Sequence, residues 1–197
     1  SPTASATMTL QNVSYGSLTG GAYASGGSFV DGQSLSEGAL VNNTDNLITV
    51  TYTFSVSAAS CPLIATTQST TVKVDPAPTF SFNNTTPQIC TGSQTNIALS
   101  TSVTNGQIRL LSVTYGAVIG TLSAGALYNN GQSITETLIN NTNAPVTVTY
   151  TFESIVGTCG PSVSQPTTVI VYPSPTFSSA NTANTICNGS NTNITWK

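Results

Sequence analysis

The chain has no histidine, and charged side chains make up only 5% of its 197 residues. It therefore lacks the commonest general base and the usual activator of a serine or cysteine nucleophile. Its three basic residues cannot neutralise a nucleic-acid backbone or hold the chain on anionic lipid. No run of about 18 apolar residues occurs, so no segment predicts insertion into a membrane. We expect neither nucleic acid nor lipid as a partner.

What the chain has instead is a hydrophobic content of 38% with a net charge of only −3. This balance predicts a folded chain, because disorder goes with low hydrophobicity and high net charge. The surface must then be built mainly from Thr, Ser, Asn and Gln. Such a surface is typical of a secreted, extracellular protein.

The chain is a tandem repeat with an offset of about 98 residues, the size of an immunoglobulin-like sandwich domain. The repeat also closes across the ends, since joining the end of one copy to the start of another restores the spacing between Cys90 and Val113. We expect one period of a longer array, cut within a domain. The matching segments are 13–16 with 113–116, 49–54 with 147–152, 74–80 with 171–177, and 89–97 with 186–194.

Strict alternation of apolar and polar residues predicts an all-β fold, two tandem immunoglobulin-like β-sandwich repeats. In 49–56, for example, Val50, Tyr52 and Phe54 share one face. Asn-Gly and Asp-Gly pairs mark the turns. Pro-rich segments at 76–78 and 173–175 predict stiff joints and a semi-rigid rod. Other strands are predicted at 8–15, 70–74, 95–99, 108–115, 134–139, 147–152 and 167–171.

These patterns set the domain boundaries. Residues 1–79 form a first repeat that lacks its leading strand, which we expect residues 181–197 of the preceding copy to supply. Residues 80–177 form a complete repeat, and residues 178–197 are the leading strand of the next one. The missing strand matches 95–99, so Trp196 takes the core position of Leu99.

The four cysteines form two repeat-related sets, because Cys61 aligns with Cys159 and Cys90 with Cys187. We predict a Cys90–Cys159 disulfide within the chain and a Cys61–Cys187 disulfide between adjacent copies, since the two spacings are nearly equal. A long closed loop stabilises by roughly 4 kcal/mol in the chain-entropy model. Disulfides imply an oxidising compartment. The alternative is four buried free thiols.

The remaining candidate groups give weak patterns. Glycosidases need two facing carboxylates and calcium needs several, but Asp31, Glu37 and Asp45 align with Asn130, Glu136 and Asn143. We interpret them as turn residues, and expect no enzyme activity, cofactor or metal. Lys73 alternates with two valines and is expected to face solvent, which argues against an isopeptide bond.

The aromatic residues divide into core and loop positions. We expect a core position for each tyrosine on a strand pattern: Tyr15, Tyr52, Tyr115 and Tyr150. Tyr23 and Tyr128 fall in Gly-rich loops and are the candidates for stacking on a sugar.

Several motifs occur in the same order in both repeats. They are Ile-Cys-x-Gly-Ser-x-Thr-Asn-Ile at 89–97 and 186–194, Thr-Val-Thr-Tyr-Thr-Phe, a later cysteine, and Val-x-Pro-x-Pro-Thr. Together they resemble the PKD-like, immunoglobulin-like repeats of giant bacterial cell-surface proteins. The Tyr-x-Trp strand frequent in such repeats is replaced here by residues 108–111. The resemblance implies export by the type IX route of gliding bacteria and a role in adhesins or fibres.

We therefore predict a non-enzymatic structural repeat of a long extracellular filament or surface adhesin, a stalk whose partners are neighbouring copies of itself. One alternative is a self-assembling, pilus-like subunit that exchanges strands. The other is a carbohydrate-binding module that binds surface glycans through Tyr23 and Tyr128.

Overall fold

The computed structural model describes residues 6–58, 66–157, 159–162 and 164–197, and all regular structure in these ranges is β. The predicted all-β class is confirmed. The first eight strands are β1 (Ala6–Ser14), β2 (Ser28–Val30), β3 (Ile48–Ala58), β4 (Thr67–Val74), β5 (Ser81–Asn84), β6 (Gln88–Cys90), β7 (Ile97–Ser100) and β8 (Gln107–Thr114). The remaining strands are β9 (Val118–Ile119), β10 (Leu127–Tyr128), β11 (Ser133–Ile134), β12 (Ile139–Asn140), β13 (Val146–Ile155), β14 (Gln165–Tyr172), β15 (Ser179–Asn181) and β16 (Ile194–Trp196).

The N-terminal sheet has the strand order β2-β1-β3-β4, and all its pairs are antiparallel. Alternation along β3 turns Val50 and Tyr52 inward, where they pack with Leu10 and Leu18 in a small buried cluster. Among the described residues, only one sheet contributes to this cluster. β4 ends the sheet, and seven of its eight residues are exposed.

The central sandwich, residues 81–172, has two facing sheets with a single core between them. A five-stranded sheet has the order β10-β8-β13-β14-β6, and a three-stranded sheet has the order β11-β7-β5. Tyr150 and Phe152 of β13 meet Ile97 and Leu99 of β7 in this core, and all four side chains are at most 1% exposed. The fold of this region is therefore sandwich-like.

The two regions repeat each other in local detail. In β1 the register against β3 slips at Gln11, between Leu10 and Asn12. In β8 the register against β13 slips at the equivalent residue, Leu111. Both strands therefore carry a β-bulge at the same place, which increases their twist.

One strand prediction was wrong in extent. The segment 134–139 is not a continuous strand, because Ser133–Ile134 pairs with β7 whereas Ile139–Asn140 pairs with β9. The chain changes partner between these two short strands. This change turns Glu136 inward, where it is 4% exposed.

The N-terminal sheet and the central sandwich touch at a joint. Thr104 donates its backbone N–H to Asp45 O at 2.8 Å and its hydroxyl to Asn46 Oδ1 at 2.6 Å. Pro76 is buried in the connecting segment. These contacts fix the joint more firmly than a free linker would.

Candidate self-association surfaces

A groove of about 520 Å³ is open on the inner face of the N-terminal sheet. Val72 of β4 lies in its wall and is 46% exposed, whereas Val169, its repeat counterpart in β14, is fully buried. An apolar face of this kind is normally covered in a sandwich. The apolar lining comprises Leu35, Leu40, Tyr52, Phe54, Val72 and Val74.

In the central sandwich, β5 and β7 cover the equivalent face, and β6 extends the sheet beyond β14. Ile97 and Leu99 of β7 and Ile89 of β6 are buried in the same cluster as Val169 and Val171. β6 also pairs in parallel with β14, so that Cys90 lies opposite Tyr172. The free edge of β4 has no such strand among the described residues.

The C-terminal hairpin, β15 and β16, reproduces the β5–β7 pair. Its register places Ser179 opposite Trp196 and Asn181 opposite Ile194, as Phe82 lies opposite Leu99 and Asn84 opposite Ile97. The turn before the second strand is reproduced as well, because Gly189 has φ of 84° and Gly92 has φ of 83°. The C-terminal hairpin therefore has the same strand register and turn as β5–β7, although, within the described residues, it is not packed on a sheet as β5–β7 is.

The apolar side chains of this hairpin face solvent. Phe177 is 81% exposed, Trp196 68%, Ile194 47% and Ile186 43%. Trp196 is therefore not in the core position that we expected, because none of the described sheets lies beneath the hairpin. Apolar side chains concentrated on one short hairpin are typical of an interaction surface.

The hairpin also keeps a similar total side-chain volume at the pair that corresponds to Leu99 and Phe82. Leu99 and Phe82 face each other across β7 and β5, and their counterparts are Trp196 and Ser179. Trp196 is larger than its counterpart Leu99, and Ser179 opposite it is smaller than its counterpart Phe82. Volume-conserving exchanges are the ones that a packed core tolerates best.

Below the covered face of the central sandwich lies a buried carboxylate. Glu136 accepts hydrogen bonds from Tyr150 Oη at 2.5 Å, Tyr115 Oη at 2.8 Å and the backbone N–H of Thr121 at 2.8 Å. Burial, followed by these bonds to the carboxylate, raises the pKa of both tyrosines. A carboxylate surrounded by donors in this way is a structural group, because it has no free oxygen to offer a substrate.

Glu37 is the counterpart below the open groove. It accepts from Tyr15 Oη at 2.5 Å, from Tyr52 Oη at 2.8 Å and from the Ala22 amide at 3.3 Å. Burial acts to raise the pKa of Glu37, but the hydrogen bonds to its carboxylate outweigh it and lower the pKa below the ordinary value. The predicted inward orientation of the strand tyrosines is confirmed at Tyr52 and Tyr150, which are both buried. The alternating sequence pattern did not predict that Glu37 and Glu136 would accept hydrogen bonds from these tyrosines.

The predicted Cys90–Cys159 disulfide is absent from the structure, where both residues are free thiols. Cys90 lies opposite Tyr172 at the end of β14, whereas Cys159 lies in the turn that precedes this strand. Seven residue steps of a strand separate these ends by roughly 23 Å, and a disulfide needs Cα atoms closer than about 7 Å. Of the second predicted pair, Cys187 is an exposed free thiol, and Cys61 lies outside the described residues.

The candidate sugar contacts are less accessible than their loop positions suggest. Tyr23 is half-buried beside Phe29, and its hydroxyl donates to Ser36 O. Tyr128 is half-buried in β10, a short strand paired with Ile108 rather than a loop. Neither ring presents an open stacking face in the way that Trp196 does.

The charged candidates do not come together as a site. No group of three potential metal ligands occurs in the residues that the structure describes. Lys73 is exposed, as expected. Glu153 is buried and forms an ion pair with Arg109.

Within the described ranges, no helix has the length and apolarity required to cross a bilayer. A comparison of the chain with protein-family models, curated proteins and solved structures found no match.

Proposed function

We propose that this chain is a non-enzymatic structural repeat of a long extracellular filament or surface adhesin, in which each copy completes the next. The C-terminal hairpin of one copy covers the open groove of the N-terminal sheet of another. The observation that carries this proposal is the identical register of β15–β16 and β5–β7, combined with an uncovered face where β5–β7 would pack.

The main-chain contacts of such a docking follow from the central sandwich. There the Ile170 N–H donates to Pro87 O, and the Thr91 N–H donates to Tyr172 O. By the repeat, the edge strand β4 gains a parallel strand from residues 185–187 of the docked copy. Addition of a strand to an exposed edge is a recurrent mode of protein recognition, in which main-chain hydrogen bonds add to side-chain pockets.

This arrangement suits a stalk. Docking makes the N-terminal sheet a two-layered unit, and two such units with proline-containing connections form each period of a linear array. The bonds from Thr104 to Asp45 and Asn46 limit bending at the joint. The polar surface predicted from composition keeps such a rod soluble outside the cell.

A self-assembling subunit that exchanges strands is a second candidate function. It is favoured by the hairpin being already folded, because a preformed docking element loses little conformational entropy on binding. In this version the copies are separate chains, whereas in the first they are joined by peptide bonds. Both versions use the same contacts.

The test is sedimentation velocity of the 197-residue chain over a range of concentrations. We expect species with masses that are multiples of 20.1 kDa, and we expect the larger species to form a greater share of the sample as the concentration rises. Trp196→Asp should abolish this growth, because it places a charge in the apolar groove. Leu111→Asp is the matched control, since Leu111 is 41% exposed on β8 and belongs to neither surface. A single species for the wild-type chain at all concentrations would contradict the proposal.

A further inference from the structure

Cys187 acquires a defined position once the hairpin is docked. In the central sandwich, Cys90 lies opposite Tyr172, the last residue of β14. The repeat counterparts of these two residues are Cys187 and Asp75. Neighbouring strands are about 4.8 Å apart, so the docked Cys187 lies about one strand spacing from Asp75 of the receiving copy.

Asp75 lies at the joint with the central sandwich of its own chain. A Cβ atom built on Gly157 would lie 2.3 Å from Asp75 Oδ2, so the main chain at Gly157 passes directly against this side chain. Cys159 is two residues further along, in a turn closed by its N–H donating to Val156 O at 3.0 Å. Of the three cysteines that the structure describes, Cys159 of the receiving copy is therefore the one nearest to the docked Cys187.

We propose that Cys187 of one copy and Cys159 of the copy that receives its hairpin form a disulfide that locks the junction; this inference rests on the docking proposed above. Cys187 is exposed and Cys159 half-buried in the isolated chain, and both are free thiols. The disulfide converts a reversible contact into a covalent one. Docking is what brings the two thiols together, so the bond forms only at a correctly assembled junction.

The chemistry is a two-electron oxidation. The two thiols lose two protons and two electrons, and one S–S bond forms. A low-molecular-weight disulfide such as oxidised glutathione accepts the electrons and protons and becomes two thiols. The attacking species is a thiolate, and disulfides of this kind persist in an oxidising compartment.

The experiment isolates the proposed bond. The Cys61→Ser/Cys90→Ser variant keeps only Cys159 and Cys187, and the matched Cys61→Ser/Cys187→Ser variant keeps only Cys90 and Cys159. Both are oxidised with glutathione disulfide, run on denaturing gels without reductant, and analysed by mass spectrometry of their linked peptides. We expect the first variant to give a ladder of multiples of 20.1 kDa that reductant collapses, with Cys159 linked to Cys187. We expect the second to stay at a single mass.

The outcomes separate this inference from the proposed function. If the first variant associates in sedimentation but gives no ladder, or gives only dimers linked from Cys187 to Cys187, the disulfide is overturned and the docking stands. If the first variant does not associate at any concentration, the docking itself is overturned. A Cys90–Cys159 bond within single chains of the second variant would contradict the strand geometry on which the pairing depends.

Discussion

At the residue scale, each region is organised around one acidic side chain below its inner face. Glu136 is 4% exposed and Glu37 is half-buried, although both accept hydrogen bonds from two strand tyrosines and a backbone amide. The difference in burial has a local cause. Gln94 and Thr95, which precede β7, pair with Thr137 and Glu136, and no described segment pairs with Glu37 in this way. The Glu136 N–H donates to Oγ1 of Thr95, two residues before β7, and the described residues of the open region have no such bond.

Replacing the buried carboxylate should destabilise the central sandwich. Glu136→Gln removes an acceptor and brings an amide NH₂ towards the donor hydroxyls of Tyr115 and Tyr150. We expect a loss of roughly 2–3 kcal/mol in the free energy of unfolding, since buried donors lose their partner. Urea denaturation followed by circular dichroism measures it.

Glu37→Gln is the matched comparison for that substitution. Its site is open to water, which can replace the lost acceptor, so we expect a loss of about 1 kcal/mol or less in the isolated chain. If Glu136→Gln and Glu37→Gln lowered the free energy of unfolding equally, the deeper burial of Glu136 would not determine how much its hydrogen bonds stabilise the fold.

The tyrosines also make stability depend on alkaline pH. Burial, followed by the adjacent carboxylates, raises the pKa of Tyr15, Tyr52, Tyr115 and Tyr150 above the ordinary value of 10.0. Above about pH 10 the unfolded chain releases phenolic protons that the folded chain retains, so the free energy of unfolding falls as pH rises. Below that pH the tyrosines are protonated in both the folded and the unfolded chain, so they do not make the free energy of unfolding depend on pH.

Denaturation at several pH values between about 8 and 11 measures this dependence. Tyr150→Phe should lower stability overall, because Glu136 loses a donor, but should reduce the decline above pH 10. The same decline in the variant and the wild-type chain would exclude Tyr150 as a source of the dependence.

At the element scale, the long strands could be predicted and the short ones could not. The patterns at 49–56 and 147–152 lie within β3 (Ile48–Ala58) and β13 (Val146–Ile155), because half-buried antiparallel strands alternate over many residues. β6 has only three residues and pairs in parallel at a sheet edge. A strand of that length gives no alternation to recognise.

The two equivalent turns offer a matched pair of substitutions. Gly92 and Gly189 both have positive φ, and a Cβ on either would meet no atom within 4 Å, so alanine adds only backbone strain. That strain is roughly 1–2 kcal/mol in the left-handed region. We expect Gly92→Ala to lower the free energy of unfolding of the central sandwich by this amount, and Gly189→Ala to leave it unchanged.

Dilute chains are required for this comparison, because association would couple the hairpin to a folded sheet. Denaturant unfolding of both variants below the association range provides the measurement. An equal loss in Gly189→Ala would mean that the hairpin supports the central sandwich of its own chain, which would contradict its role as a free docking element.

At the scale of the whole molecule, the spacing of sequence motifs predicted where the repeats lie, but it did not predict the cysteine pairing correctly. Two nearly equal intervals favoured bonds within one sandwich, yet Cys90 lies beside the last residue of β14 and Cys159 lies in the turn before its first residue. Linear spacing contains no information about which end of a strand a residue occupies. Likewise, the repeat assigned Trp196 to a core, whereas the structure shows this side chain exposed; in the proposed array, the core comes from another copy.

A linear array built through these contacts has a predictable period. Strands of about 3.3 Å per residue give each unit a length of roughly 35–40 Å. Two units for each copy advance the filament by roughly 70–90 Å. The account therefore depends on one claim above all, that the hairpin of one copy covers the sheet of the next.

Hydrogen–deuterium exchange at low and high concentration tests that claim most directly. We predict that the amide of Lys73 on β4 and that of Gly189 in the hairpin become protected together as chains associate, because their counterparts Ile170 and Gly92 donate to Pro87 O and Leu138 O. The amides of β13 should be protected at both concentrations. Association that protects other surfaces while β4 and the hairpin continue to exchange freely would contradict the account.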